Sequence, residues 1–295
     1  MAAFCLNLCE TANRAVIKEE YLQRIIECVV LNNNIQEPLE RIYAGSSFCS
    51  QYFLHINFWK HLIKRCEENG WKMTLTLPVF SQKDLQIAKN RLDEILAQGK
   101  EIIDEITVND VGMLRYVSQN CEQKINLGRL FFKDSRDVRV RPYDVGEMTP
   151  NLLASEDNMI MAENNIHAIE LDMMSRYINL TDCDLGEAKL CVHGPFCYMS
   201  TGNICKFASI HKDMEQKFRP NLNCNMECAG IYEHYKARFG EKNVDILRYG
   251  RTIYFYNNES RIIGKKIDRK IYFPVREINE VMKGGVSGES TRTIK

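Results

Sequence analysis

The feature that most constrains the fold is a repeated alternation of strand-type and helix-type segments along most of the chain. Short apolar runs are followed by stretches in which apolar residues recur at helical spacing. The predicted strands cover, in order, 4–8, 41–43, 72–77, 102–108, 127–132, 166–171, 189–193 and 244–248, with an added strand at 252–256. Alternation of this kind implies parallel strands with right-handed crossovers, and about eight units predict an α/β fold of the (β/α)8 TIM-like barrel type.

The helical segments and the chain ends complete the predicted domain organisation. Helices are expected over 18–31, 58–68, 85–99 and 111–119, with another beginning at 173–178. Ser81 and Asp84 resemble a capping box before the third of these helices. We expect one barrel domain over 1–283, an irregular stretch from 136 to 156, and a flexible Gly/Ser-rich tail over 284–295.

Charge and hydropathy narrow the function classes only a little. The formal net charge is +0, so no global field draws the chain to nucleic acid or to a membrane surface, although local patches can still do so. The N-terminus lacks the pattern of an export signal, and no apolar run approaches the roughly 18 residues that span a bilayer. We expect a soluble, cytoplasmic protein whose 12 cysteines are reduced, some of them as metal ligands.

Five of the cysteines lie in one segment that begins in the seventh predicted strand and continues into a predicted cysteine-rich insertion after it. They are Cys191, Cys197, Cys205, Cys224 and Cys228. The last two form a C-x3-C pair that one loop or helical turn can aim at a common metal, and Cys205 can reach the same place across a loop. These three thiolates need a fourth ligand. Cys49, in IYAGSSFC after the second predicted strand, is the best placed, and Cys197 competes with it.

The barrel prediction brings these separated cysteines together. The loops at the carboxyl ends of barrel strands share one rim, so Cys49 and the segment after the seventh strand are expected to lie on the same side of the barrel. Four thiolates suit a polynuclear iron site or zinc, but structural zinc sites more often show two closely spaced pairs, and here there is one. Buried reduced thiols explain the pattern equally well on spacing alone.

Several motifs together resemble the bacterial collagenase-like peptidase family. These are IYAGSSFC, HGPFCYMSTGNIC, the C-x3-C at Cys224, the strand ending near Glu170 and the barrel-like repeat. Within that family, the chain is most similar to the V-type subunits of paired proteins needed for oxygen-independent ubiquinone hydroxylation. The likeness covers roughly 4–256, whereas the segment 134–156 matches no part of the family pattern.

The resemblance implies a cofactor, partners and a reaction. It implies a [4Fe-4S] cluster on Cys49, Cys205, Cys224 and Cys228, while Cys197 occupies a position that looks like a ligand in the U-type branch. It also implies oxygen-independent hydroxylation of a quinone precursor or an RNA base, with prephenate as oxygen donor and a related family member as a possible partner in a hetero-oligomer. Two alternatives remain: a non-catalytic, cluster-bearing partner subunit, or a peptidase acting as the family name suggests.

Candidate catalytic residues lie at the ends of two predicted strands. Glu170, at the end of the sixth strand, is a candidate general base or substrate contact, or else the partner of a nearby Arg or Lys. His193, at the end of the seventh strand, can shape a proton path, bind substrate or simply fix the turn before Gly194. Asp110 and Arg115 are weaker candidates.

A basic, aromatic segment lies just before the middle of the chain. GRLFFKDSRDVRVRP carries five cations, namely Arg129, Lys133, Arg136, Arg139 and Arg141. Such a segment is typical of an RNA-facing or anion-binding rim, and a solvated, salt-bridged loop is the alternative. By the resemblance, Arg129 and Lys133 are expected to bind the carboxylates of the oxygen donor. The sequence contains neither HExxH nor GxSxG, the motifs that would indicate a protease.

Overall fold

Eight parallel strands close into a barrel in which each strand pairs with its neighbour along the chain. The computed structural model describes residues 2–11, 19–136, 147–154, 159–174, 177–220, 224–229, 232–239 and 242–285. The barrel strands are β1 (Ala3–Asn7), β2 (Leu39–Gly45), β3 (Lys72–Thr76), β4 (Ile103–Val108), β5 (Lys124–Leu127), β7 (Ile166–Asp172), β9 (Lys189–Gly194) and β15 (Arg269–Tyr272). The parallel pairing of β15 with β1 closes the ring, which confirms the predicted α/β class and a closed eight-strand barrel.

Helices connect most of the early strands. They are α1 (Glu19–Asn33), α2 (Ser50–His55), α3 (Trp59–Asn69), α4 (Leu85–Gly99), α5 (Val111–Asn120), α6 (Asn151–Ala154), α7 (Met159–Glu163) and α8 (Val275–Gly285). Their buried faces carry apolar residues that recur at helical spacing, such as Leu22, Ile25 and Val29 in α1. Among the described residues, no helix is both long enough and apolar enough to cross a membrane.

Two smaller sheets lie outside the barrel. An antiparallel sheet has the order β10 (Phe196–Thr201), β13 (Thr252–Tyr256), β12 (Lys242–Tyr249) and β11 (Tyr232–Phe239). The other sheet joins β14 (Ile262–Ile263), β8 (Tyr177–Asn179) and β6 (Glu147–Met148). The antiparallel sheet falls between β9 and β15 in the chain, and it carries the segment with Cys205, Cys224 and Cys228 next to the barrel.

Three sequence-based element predictions are wrong. The run 127–132 is not the fifth strand, because β5 ends at Leu127 and the chain turns into a 3-10 helix, Arg129–Arg136. Gly128 permits this turn, since a Cβ there would lie 2.4 Å from Oδ1 of Asn109. A helix does not run through 173–178, because Tyr177 and Ile178 belong to β8.

The eighth barrel strand was also misplaced. The segment 244–248 lies within β12, where it pairs with antiparallel neighbours. The strand that closes the barrel is β15, whose short sequence RKIY lacks an apolar run. Arg269 of β15 is buried, and it donates to both carboxylate oxygens of Glu105 at 2.8 and 2.9 Å. A charge inside the barrel therefore hid this strand from a search for apolar runs.

The capping prediction and the predicted tail have different outcomes. Helix α4 starts after Asp84, which makes no side-chain cap bond, and the Ser81 hydroxyl donates to Asp84 Oδ2 at 2.7 Å. Ser81 is thus not the N-cap. Helix α8 ends at Gly285, and the rest of the predicted tail, like the predicted cations Arg139 and Arg141, lies outside the described residues.

Candidate functional site

The four predicted thiolate ligands line a single pocket on the rim formed by the carboxyl ends of the barrel strands. Cys49 comes from the start of α2, just after β2, and Cys205, Cys224 and Cys228 come from the segment between β10 and β11. The chain therefore brings the four sulfur-bearing residues together from distant parts of the sequence. Whether they bind a cluster stays a prediction.

Cys49 is positioned by the turn that leaves β2. Gly45 has φ +115°, and a Cβ there would lie 2.3 Å from the Thr76 carbonyl oxygen, so only glycine permits this close approach of β2 to β3. Next to it, the Ser46 amide donates to the same oxygen at 3.0 Å. The Ser46 hydroxyl oxygen in turn accepts from the Cys49 amide at 2.8 Å. These bonds fix the backbone that presents Cys49 to the pocket.

The carboxylate of Glu10 and the guanidinium of Arg251 hold the same turn from either side. Oε1 of Glu10 accepts from the Ser46 hydroxyl and from the Phe48 amide, both at 2.8 Å. Arg251 donates to the Phe48 carbonyl oxygen through Nε at 2.7 Å and also through Nη2. Glu10 and Arg251 also line the thiol pocket. They therefore place one negative and one positive side chain beside the four cysteines.

The other three cysteines are held by short turns. The Ser209 hydroxyl, at the end of the 3-10 helix Phe207–Ser209, donates to the Cys205 carbonyl oxygen at 3.0 Å. Cys228 lies in a second 3-10 turn, Glu227–Ala229. The Asn225 amide between Cys224 and this turn donates to Oε2 of Glu227 at 3.1 Å. Cys224 and Cys228, the two cysteines of the C-x3-C motif, thus line the same pocket.

Burial keeps the thiols of Cys49, Cys224 and Cys228 protonated when no metal is bound. Burial raises the pKa of Cys49 to about 11, and the nearby Arg251 charge only partly opposes that rise. Burial also raises the pKa of Cys224 and of Cys228, and for Cys228 the neighbouring thiolates of Cys49, Cys205 and Cys224 raise it further. Metal binding at such a site must displace protons, and the metal charge must offset the repulsion among the thiolates.

The pocket supplies the four thiolates that a four-iron cluster needs. Each thiolate of such a cluster binds a different iron. Within the described ranges, no group of three or more His, Cys, Asp or Glu side chains is arranged to hold one metal ion, so the match is one of ligand type and number and not of ligand geometry.

A polar region adjoins the thiol pocket. Oε2 of Glu10 and the Tyr52 hydroxyl are buried in the pocket lining, and neither has a hydrogen bond partner among the described residues. Burial raises the pKa of Glu10, against the opposing charge of Arg129. Buried polar atoms in proteins are normally paired. The wall of the pocket therefore offers hydrogen bonding groups as well as sulfur.

Arg129 is not part of an exposed basic rim. It is 1% exposed, its Nη2 donates to the Ser47 hydroxyl at 2.8 Å, and its Nη1 lies 3.3 Å from Oδ1 of Asp172. The guanidinium also stacks on the ring of Phe48, 4.7 Å from the centroid. Although burial alone would lower the pKa of Arg129, the Asp172 charge raises it above its usual range. Arg129 is therefore a buried, compensated cation beneath the pocket, and its role in binding carboxylates stays a prediction.

The two candidate catalytic residues lie together inside the barrel. Nε2 of His193 is 2.8 Å from Oε2 of Glu170, and the Thr107 hydroxyl donates to the other oxygen of Glu170. Burial raises the pKa of Glu170 to about 7, against the hydrogen bond from Thr107 and the charge of Arg129. The sequence offered a nearby Arg or Lys as the alternative partner of Glu170, but the residue bonded to its Oε2 is His193. The pair can hold a proton close to neutral pH.

The remaining candidates lie elsewhere. Cys197 is buried, and its thiol donates to the Met173 carbonyl oxygen at 3.0 Å in the hydrophobic core, away from the thiol pocket. Asp110 is the N-cap of α5 and accepts from the Met113 amide at 2.8 Å, whereas Arg115 is exposed on that helix. Lys133 lies in the 3-10 helix after β5, and its side chain is outside the described part of the chain.

Four further residues of the site were not predicted from the sequence, namely Glu10, Ser46, Asp172 and Arg251. Glu10 follows β1 by three residues, Ser46 directly follows β2 and Asp172 ends β7, and functional groups gather at such strand ends in barrels of this type. Strand-end position could therefore have singled them out. Arg251, in the turn between β12 and β13, carries no such signal, because its position depends on the antiparallel sheet. Comparisons with protein-family models, curated proteins and solved structures find no match to this chain.

Proposed function

We propose that this chain is an iron-sulfur barrel protein that takes part in oxygen-independent hydroxylation of a quinone precursor or an RNA base. In this proposal Cys49, Cys205, Cys224 and Cys228 hold a [4Fe-4S] cluster at the barrel rim. The observation that carries it is the convergence of these four cysteines on one pocket. The reaction itself rests on the motif resemblance, since the pocket supports the cofactor and not a particular acceptor.

The side chains around the pocket have separate roles in this proposal. When bound, the cluster supplies one-electron transfer. Arg251 offsets part of the negative charge of the thiolates, because its guanidinium lies at the turn that presents Cys49. Burial of Cys49 and Cys228 excludes water from the sulfur atoms. Glu170 and His193 hold a proton inside the barrel, at a pKa suited to giving or accepting it near neutral pH.

Iron and sulfide analysis after purification without oxygen tests the cofactor. We expect about four irons per chain in the wild type. The single variants Cys49→Ser, Cys205→Ser, Cys224→Ser and Cys228→Ser should each lose most of the iron. Cys197→Ser and Cys183→Ser are matched controls, because both cysteines are buried outside the pocket, and they should keep it. An iron-free wild type, or zinc in place of iron, would contradict the proposal.

A second measurement tests the reaction class. Mass spectrometry on quinone precursors and on RNA, incubated without oxygen with the cluster-loaded protein and with prephenate as oxygen donor, should detect an added oxygen atom. Glu170→Gln should lose this product while retaining its iron, because Glu170 lies outside the thiol pocket. Product formation only after a second protein is added would favour the partner-subunit alternative. Peptide cleavage that survives removal of iron would favour the peptidase alternative.

A further inference from the structure

Four large apolar side chains are exposed on the segment that carries Cys205. They are Ile204, Ile210, Met214 and Phe218, with exposed fractions of 49%, 46%, 80% and 56%. In the described part of the chain, no other segment this short exposes as many large apolar side chains. Scattered single apolar residues on a surface need no explanation, but a group of them marks an interaction site.

A hydrogen bond folds the later part of this segment back on itself. The Phe218 amide donates to the Ser209 hydroxyl oxygen at 3.0 Å, so the backbone at Phe218 lies next to the residue that precedes Ile210. Met214 lies on the 3-10 turn Met214–Gln216 between them. Phe218 has φ +57°, an unfavourable conformation for a bulky residue, and it nevertheless presents its ring to solvent. Strain of this kind in an exposed aromatic residue points to a function other than folding.

The sequence around these residues carries more cations than anions. Between 204 and 219 there are four cations and two anions, a net charge of +2 in a chain whose total is +0, and one of the cations, Lys206, is ion-paired with Glu233. The cations are Lys206, Lys212, Lys217 and Arg219, and the anions are Asp213 and Glu215. These six charged side chains and the four exposed apolar side chains form what we call the apolar-basic surface. Apolar anchors with a basic surround complement a partner that carries an acidic rim.

The apolar-basic surface adjoins the thiol pocket directly. Cys205 lies between Ile204 and Lys206, and the next residues, Phe207 and Ala208, line the pocket. A protein docked here is brought close to the four cysteines, and electron transfer requires such closeness. We propose that the apolar-basic surface docks a small acidic electron-carrier protein of the flavodoxin or ferredoxin class. This inference rests on the proposed cluster: hydroxylation removes two electrons from the acceptor, and in each transfer the cluster loses one electron and the oxidised carrier gains it.

Calorimetric titration of the full chain with an oxidised acidic flavodoxin tests the docking. Binding should weaken as salt is added, because complementary exposed charges are screened. Met214→Ser and Lys212→Glu should each weaken the affinity by about tenfold. The controls are Ile87→Ser, an exposed apolar residue on α4, and Lys60→Glu on α3, and both should bind as the wild type does.

Other outcomes would contradict the proposal, and each identifies the part of it that fails. Absence of binding, equal losses in the controls, or tighter binding of a basic cytochrome would exclude an acidic partner. Self-association that Met214→Ser abolishes would assign the surface to a second copy of the chain. Iron analysis of the same samples separates the two proposals: iron without flavodoxin binding overturns only the docking. Binding without iron overturns the cluster and the electron transfer while leaving the surface as a docking site.

Discussion

Nε2 of His193 lies 2.8 Å from Oε2 of Glu170, and both residues are at most 2% exposed inside the barrel. A carboxyl group so far from water favours its neutral form unless cations compensate it. The Arg129 charge opposes this tendency without cancelling it, so the pKa of Glu170 stays at about 7. The pair is therefore sensitive to pH in a range where exposed carboxyl groups are fully ionised.

This raised pKa predicts that stability falls as pH rises. The pKa of Glu170 changes from 4.5 to about 7 on folding, so the folded chain binds the proton more tightly than the unfolded chain. The contribution is fully present below about pH 4.5 and is lost as pH rises through about 7, and it amounts to about 3 kcal/mol. Urea unfolding of the wild type from about pH 5 to about pH 8 should show this decline in the free energy of unfolding.

The Glu170→Gln variant is the control for that prediction. Glutamine keeps the size of the side chain and a hydrogen bond to Thr107 or His193, but it does not titrate. The difference in free energy of unfolding between wild type and variant should therefore change with pH in the direction given above. If the two curves stay parallel across the window, the raised pKa is excluded.

Arg129 is predicted to be essential for stability. Its removal leaves Asp172 buried without its cation and also removes the stacking on Phe48. Arg129→Ala should lower the free energy of unfolding by about 3–5 kcal/mol, as measured in urea. The exposed Arg115→Ala on α5 is the control and should change it by less than about 0.5 kcal/mol. Nearly equal effects of the two substitutions would show that Arg129 is not a buried, compensated cation.

Arg251 is predicted to help retain the proposed cluster and not to support the fold. Its guanidinium is only partly buried and bonds the Phe48 carbonyl oxygen next to Cys49. Arg251→Gln should shorten the time for which an iron chelator leaves the cluster intact, by about tenfold, while the urea midpoint changes little. Arg248→Gln, one strand position away from the pocket, is the matched control. Equal chelator resistance in wild type and Arg251→Gln would remove Arg251 from the site.

The barrel was predictable because apolar residues alternate or recur at helical spacing in most of its elements. The strand β15 was not, because Arg269 replaces an apolar run and depends on Glu105, which lies far away in sequence. For Glu105, burial alone would raise the pKa, but His167, Arg269 and Arg41 hold it well below its usual range. A compensated charge inside a barrel is visible only once the strands are paired.

The candidate site was predictable to a different degree. The common rim of Cys49 and the C-x3-C pair follows from the barrel, since parallel strands end on one side. Arg129 was expected to be exposed because it lies in a cation-rich stretch, yet its environment is set by Asp172 at the end of another strand. Local composition therefore predicted the charge of this residue and not its burial.

The turn after β2 gives the last prediction, because Gly45 ties the fold to the thiol pocket. Gly45→Ala would place a Cβ 2.3 Å from the Thr76 carbonyl oxygen, at φ +115°. The backbone must move, and with it Ser46, whose hydroxyl orients the Cys49 amide. We expect the free energy of unfolding to fall by more than about 2 kcal/mol and iron retention to fall with it.

Gly186→Ala separates the clash from the conformational cost. Gly186 also has a positive φ, +54°, but a Cβ there would meet no atom within 4 Å. Its substitution should cost about 1 kcal/mol and leave the iron content unchanged. If Gly45→Ala behaves like Gly186→Ala in both measurements, then close approach of β2 to β3 does not position Cys49. A loss of iron in Gly45→Ala alone would show that the geometry of this turn is needed to present Cys49 to the pocket.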